Sequence, residues 1–358
     1  MDSNVQARHK MRQLLEAVVQ QGASDLHISV GKPPILRIDG SLTSMPNEKP
    51  LTKEEATSLI LSVMPPEQQN KLTKNKNVDF SFNLEEKARF RTNVFYQLGV
   101  LSGAYRLVSS KIRAIEELNL PPVLHEFSKL SQGLVLFVGP TGHGKSTSLA
   151  SIIDEINHNR TEHILTIEDP IEYVYKEDLC LINQREIGQD VLTFYEGLKS
   201  CFREDINVIL LGEMRDLDTI ETALTAAETG HLVFSTLHTN DSWQTVDRIV
   251  GSFSGAQQNQ IRMQLANVLS GICSLRLLPR IGGGRIPATE VLIKNDAVEN
   301  LIRENQIHQI PNVLETSLKE GMHSINRSLA NLIKEEAITL EDAEKYTVDK
   351  EMLHLLIK

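Results

Sequence analysis

The sequence predicts an α/β protein, with a parallel sheet covered on both faces, a smaller α+β unit before it and helices after it. Three observations carry that reading. From residue 130 short apolar runs alternate with helical periodicity, as strands buried on both faces require. The first hundred residues instead alternate apolar with polar side chains, the pattern of half-buried antiparallel strands. Beyond Asn295 the chain reads as amphipathic helix to Lys358.

In order, Met11 to Val19 has helical apolar spacing, and Asp25 to Val30 and Ile35 to Gly40 alternate as strands, the second ending in a turn. Leu51-Thr52 opens a helix whose first turn carries Glu54 and Glu55, a capping arrangement. Val78 to Phe82, Ala88 to Phe95 and Val100 to Val108 form an antiparallel meander. A polar connector, Ser109 to Arg113, places a domain boundary near residue 110, and Pro121-Pro122 opens the next unit. In the larger part four strands matter. Leu134 to Val138 runs into a glycine-rich loop, His163 to Ile167 into Glu168-Asp169, Val208 to Leu211 into Gly212-Glu213, and Leu232 to Leu237 into His238. The domains are therefore expected at 1–110, 111–295 and 296–358.

Composition excludes several classes. With 358 residues and 41% hydrophobic content the chain builds real cores, so wholesale disorder is excluded. A net charge of −10 argues against a general binder of nucleic-acid backbones. Three widely spaced cysteines, Cys180, Cys201 and Cys273, offer neither a disulfide framework nor a zinc site, and read as buried thiols in a reducing cytosol. No apolar run approaches the length of about 18 residues that a membrane span needs, so a soluble protein without direct membrane insertion is expected.

The loop Gly139-Pro140-Thr141-Gly142-His143-Gly144-Lys145-Ser146 follows a strand and opens a helix from Thr147 to Ile156. Its spacing is that of a phosphate cradle: Gly139, Gly142 and Gly144 let backbone N–H groups curl around an anion, and the helix start adds the positive end of its dipole. Lys145 has the reach for β- and γ-phosphates, and the Ser146 hydroxyl is a ligand for Mg²⁺. Thr141 and Thr147 complete the loop as candidate nucleotide contacts. A nucleoside triphosphate is the expected ligand, ATP and ADP the expected pair.

In an open α/β sheet, ligands gather where strands end at their carboxyl side. Here those ends carry an anion cradle, two acidic clusters and a histidine. Phosphoryl transfer to water needs an oriented nucleophile, a metal ion and positive charge on the phosphate. Glu213 is a candidate for polarising the water, and Glu168 is a candidate for the same work or for holding a Mg²⁺-bound water; the sequence does not decide between them. His238 fits a sensor of the terminal phosphate or a partner of a catalytic carboxylate, while His231 is balanced between that and a structural role. Arg91 and Arg106, on strands of the first unit, are candidates for a cation donated to a neighbouring subunit's nucleotide; Arg89 reads as part of a solvated strand face.

With the phosphate loop, Ile167 to Glu172, Gly212-Glu213-Met214-Arg215-Asp216 and Thr229-Gly230-His231-Leu232 through Thr239 in view, the chain resembles the secretion-ATPase superfamily, and within it the type IV pilus retraction ATPases. These segments resemble that family's Walker A, Asp box, atypical Walker B and His box, in that order. Gly22 to His27 and Pro33-Pro34 through Asp39-Gly40 match as well, so the resemblance spans nearly the whole chain. It implies a PAS-like first domain, a RecA-like P-loop ATPase domain with C-terminal helices, and a homohexamer whose nucleotide lies between one subunit's loop and the next subunit's first domain. Carried over, Glu213 is the catalytic glutamate, Glu168 the Asp-box acid, His231 and His238 the His-box residues, and Arg91 and Arg106 the trans contacts. The implied function is an ATP-hydrolysing motor for pilus retraction, cytoplasmic, docked on an inner-membrane platform protein, with ATP or ADP and Mg²⁺ and no nucleic acid.

Three departures accompany the match. His143 stands where a small residue is usual, Arg203-Glu204-Asp205-Ile206-Asn207 lacks the usual Pro-Asp, and Leu318 to Met322 only partly follows the segment associated with retraction. The rivals are a pilus-extension or type II secretion ATPase, whose extra N-terminal domains and four-cysteine zinc insertion are not seen here, an accessory retraction ATPase, and a nucleic-acid translocase.

Overall fold

The computed structural model describes residues 3–38, 41–85, 87–108 and 111–358. By their internal contacts they fall into two compact units, Met1–Ser110 with Glu172–Val174, and Lys111–Ile171 with Tyr175–Lys358.

The first unit is one sheet of six strands with three helices. Its strands are β1 (Asp25–Ile28), β2 (Ile35–Ile38), β3 (Ser41–Ser44), β4 (Asn77–Leu84), β5 (Ala88–Gln97) and β6 (Val100–Val108), ordered β3-β2-β1-β6-β5-β4 and antiparallel throughout. The meander expected from the sequence is therefore present as β4, β5 and β6. Strand β1 shows why alternation is readable: Leu26 and Ile28 enter a core with Met11, Leu14, Leu15 and Val18 of the Ser3–Gln20 helix. The Lys53–Ser62 helix carries its predicted cap in full, since Thr52 Oγ1 accepts from Glu55 N–H and the Glu55 carboxylate accepts from Thr52 N–H. The turn expected at Asp39-Gly40 and the boundary expected near residue 110 touch residues outside those described.

The second unit is built on seven strands: β7 (Gly133–Val138), β8 (His163–Glu168), β9 (Leu181–Glu186), β10 (Val208–Leu211), β11 (Leu232–Leu237), β12 (Leu269–Pro279) and β13 (Arg285–Ile293). Their order is β13-β12-β7-β11-β10-β8-β9. All neighbours are parallel except the β12–β13 hairpin. Strands β7, β10 and β11 are buried along their whole length, which is why their sequences are unbroken apolar runs. The helices around them close one large core that includes Leu134, Leu165, Ile209, Val233 and Leu292. Four of these helices start from a polar cap in the sequence: Asp216, Asp241, Asn295 and Ser324 each accept the backbone N–H three residues on. A second cluster, with Leu278, Ile286 and Ala288 of the hairpin, is covered by Leu329, Ala343 and Leu353 of the C-terminal helices.

Strand β12 is the hinge of this arrangement, parallel to β7 over its first half and antiparallel to β13 over nearly its whole length. Its Gly271 is pressed against Phe127, where a Cβ would stand 2.4 Å from Cζ and 3.1 Å from the Leu292 carbonyl oxygen. Gly271→Ala is expected to destabilise the chain by about 1–3 kcal/mol through overpacking. A urea midpoint equal to that of the parent would contradict this account of the β12 contact.

Candidate nucleotide site

Strand β7 delivers the chain at Val138 straight into the glycine-rich loop. Gly139 has φ +139°, and a Cβ there would lie 2.5 Å from the Leu275 carbonyl oxygen of β12, so both torsion and space demand glycine. Gly142 and Gly144 also have positive φ, and Gly144 immediately precedes the Lys145–Asn159 helix. The first turn of an α-helix offers N–H groups that its own carbonyls cannot pair, and here that turn follows directly on the glycine-rich loop. Lys145 is buried, with Nζ donating to the carbonyl oxygens of Gly139 at 2.8 Å and Pro140 at 3.0 Å. Ser146 and Thr147 follow half-buried in the first turn, and Thr141 is exposed at the loop's crest.

The acidic residues sit on the same edge of the sheet. Glu168 ends β8, buried, and accepts from Thr166 Oγ1 at 2.7 Å. Glu213 leaves β10 with 12% of its side chain exposed. Its Oε1 meets the Arg215 guanidinium at 2.5 Å, and its Oε2 lies 3.7 Å from His238 Nε2. The backbone makes this meeting: Thr236 Oγ1 donates to the Gly212 carbonyl at 2.7 Å, and Met214 N–H donates to the Thr236 carbonyl at 3.4 Å. The exit of β10 is thus stitched to β11 just before His238. Ser146 and Glu168 offer hard oxygen donors of the kind Mg²⁺ takes. Among the described residues no three His, Cys, Asp or Glu side chains converge as a metal site. Mg²⁺ bound through one or two protein oxygens and the substrate phosphates needs no such cluster.

Of the residues singled out from the sequence, the loop residues are brought together, and so are Glu213 and His238. His231 is not brought together with them. It precedes β11, where its carbonyl accepts the Gly133 N–H at the start of β7, so it lies at the opposite end of the sheet from the loop. Six extended residues stand between it and His238, seven steps of about 3.3 Å each, or roughly 23 Å. There its Nδ1 stands 3.0 Å from the Ala226 carbonyl in the last turn of the Leu217–Glu228 helix, edge-on to Phe202. It finishes a helix and does not join the acidic cluster. Arg91 and Arg106 belong to the first unit, where they are cross-strand neighbours on β5 and β6, both exposed. Arg106 Nε donates to Asp25 Oδ1 at 2.9 Å. Arg37 reaches Asp25 from β2 at 3.9 Å, so one nearly buried carboxylate organises two of three guanidinium groups in a row.

Sequence reasoning missed two groups. Glu186 lies beside Glu168 in the β8–β9 register, buried, accepting from Ile171 N–H at 3.2 Å and Gln189 Nε2 at 2.7 Å. Arg276 of β12 donates to the Asn240 carbonyl at 2.8 Å and to the Leu275 carbonyl at 2.9 Å, with Nη1 3.3 Å from the position of a Gly139 Cβ. Both depend on β9 and β12, strands with no clear sequence signature.

The family described as type II/IV secretion system protein matches residues 2–345. The type IV pilus retraction ATPase PilT of Pseudomonas aeruginosa is 43% identical over 333 residues, which is 93% of this chain and 96% of that protein. The type IV pilus ATPase PilU of the same organism is 36% identical over 98% of this chain and 91% of its own length. A crystal structure of the pilus retraction motor PilT with bound ADP superposes with a TM-score of 0.90 at 45% identity, covering 96% of this chain and 98% of that one.

The two histidines predict opposite phenotypes. His231→Ala removes a helix-end hydrogen bond and is expected to cost about 1 kcal/mol. His238→Ala, half-exposed at its side chain, is expected to change stability by less than about 0.5 kcal/mol. Thermal denaturation of both variants checks this, and equal losses of Tm would refute the assignment.

Proposed function

The chain belongs to the type II/IV secretion system protein family, and we propose that within it this protein is an ATP-hydrolysing motor that powers type IV pilus retraction. The observation that carries the reading is the meeting of Glu213 with Arg215 and His238 on the sheet edge that also holds the phosphate loop. It is supported by a relative and a solved structure, similar over nearly the full chain, whose names specify pilus retraction and bound ADP. In this proposal the domains are a PAS-like 1–110, a RecA-like core 111–295 and helices 296–358.

The roles follow from charge and placement. Backbone N–H groups of Gly142, Gly144 and Lys145, with Thr141 and Thr147, hold the phosphates, and the Lys145 ammonium neutralises them. Ser146 would help hold Mg²⁺, which would supply further charge neutralisation there. Glu213 accepts a hydrogen bond from the attacking water, and Arg215 on Oε1 leaves Oε2 for that work. His238 stands beside Oε2 and orients it. Glu168, anchored by Thr166, keeps a fixed carboxylate at the next strand tip for a metal-bound water. In a homohexamer, Arg91 and Arg106 of one subunit supply positive charge to the neighbour's nucleotide. No helix among the described residues is long and apolar enough to cross a membrane, and in this reading the work is delivered to a separate inner-membrane platform protein.

Purified full-length protein with Mg²⁺ and ATP tests the chemistry. Lys145→Ala is expected to lose nucleotide binding. Glu213→Gln is expected to keep it while turnover falls about 10²–10⁴-fold. Turnover that survives Glu213→Gln would remove the motor reading, and bald cells on gene deletion, in place of hyperpiliated ones, would reverse the direction of work.

A further inference from the structure

Strand β12 keeps its parallel pairing with β7 only as far as Ser274 opposite Val138, because at Gly139 the chain turns away into the phosphate loop. Past that point the β7-facing edge of β12 has lost its strand partner. The N–H of Leu277, whose partner on the other side of the ladder is Pro287, is directed to this edge. It donates to His143 Nδ1 at 2.9 Å. An N–H left without a partner in such a half-buried position is costly, and here an imidazole ring from the loop continues the ladder by one bond. The ring has a second neighbour: Tyr346 meets it edge-on, with centroids 6.2 Å apart and planes at 63°.

Tyr346 does not float. It packs against the cluster built on Leu278, Ile286 and Leu353, and Leu353 of the Lys350–Ile357 helix is fully buried. Asn326 ties the same segment down, with Nδ2 donating to the Asp349 carbonyl at 3.0 Å and Oδ1 accepting from Thr347 at 2.5 Å.

We propose that His143 is a positioning residue for nucleotide binding: through its Leu277 bond it pins the phosphate loop to β12, with the C-terminal segment around Tyr346 as its backstop. This rests on the nucleotide reading of the loop given above. The loop's beginning passes close against the Leu275 carbonyl at Gly139, and His143 bonds its middle to the same strand two residues further along. A loop held in this way samples fewer shapes, so a larger fraction of molecules already has the phosphate-binding shape and the apparent affinity rises with that fraction. The bond requires a neutral ring protonated at Nε2. Burial, followed by the nearby charges of Arg276, Lys145 and Arg285, lowers the His143 pKa and favours that form.

Two substitutions separate the bond from the bulk. His143→Phe keeps a ring for Tyr346 and removes the acceptor; His143→Asn replaces Nδ1 with an amide oxygen at a similar reach. Hydrogen exchange of the nucleotide-free full chain is read at the Leu277 amide, and ADP with Mg²⁺ is titrated calorimetrically into the same proteins. Expected are faster exchange at Leu277 and about fivefold weaker ADP binding in His143→Phe, with both largely restored in His143→Asn. Tyr346→Ala is expected to weaken ADP binding in the same direction by about twofold. Unchanged Leu277 exchange in His143→Phe, or His143→Asn as defective as His143→Phe, overturns the proposal. Parent protein that binds no ADP overturns the nucleotide reading instead, while the exchange data still decide whether the pin exists.

Discussion

Strands β8, β10, β11 and β7 run parallel and almost wholly buried, so the chain must leave the sheet four times on one edge. The register makes those exits level: Ile167 lies beside Leu211, Leu211 beside Ser235, and Ser235 beside Leu136. The next residues of each strand are therefore gathered at one height. They are Glu168, Gly212-Glu213, Thr236 to His238, and the phosphate loop. The pairing energy is spread over many ladder bonds and apolar side chains, none of them chemical. Slippage by one residue would exchange the side chains packed on the two covered faces of each strand, so close packing enforces the register and the register assembles the site.

Burial also explains what was legible in the sequence. A strand covered on both faces must be apolar throughout, so Leu134 to Val138, Val208 to Leu211 and Leu232 to Leu237 announced themselves. So did the Thr52 cap, because a capping box needs particular side chains at fixed spacing. Edge strands have no such obligation. All of β3 is exposed, and β9, Leu-Ile-Asn-Gln-Arg-Glu, pairs on one side only. With β9 unseen, Glu186 had no reason to stand beside Glu168. Strand β12 was hidden differently: it follows the Gly255–Val268 helix without a break and changes partners midway, so neither periodicity dominates. Arg276 and the partner of His143 went with it. The fate of His231 was within reach of simple arithmetic, since a six-residue strand between two histidines sets them at its opposite ends.

Charge is distributed against the average. The chain carries −10 overall, yet small groups of cations stand where an anion is expected. On the first unit Arg37, Arg106 and Arg91 line one row of the sheet around Asp25, which Ser24 Oγ also contacts at 2.7 Å. One carboxylate orders two of the neighbouring guanidinium groups. On the second unit Lys145, Arg276 and Arg285 are near enough to His143 to act on its protonation. Net charge sets solubility and long-range repulsion, whereas binding follows these local fields.

Lys145 shows how such a field is kept ready. A buried ammonium is expensive unless its hydrogens are satisfied, and Gly139 and Pro140 satisfy two of them with carbonyl oxygens of the loop itself. Carbonyls carry only partial charge, so these two bonds hold the lysine in place without themselves cancelling its charge. A phosphate oxygen carries a full charge and makes the stronger, charge-assisted bond. The same two bonds draw the beginning of the loop toward its end, and Gly139 can follow because it bears no Cβ to meet Leu275. Loop shape and lysine position are thus one structure: a change that releases the loop from β12 also moves the charge away from where an anion would meet it.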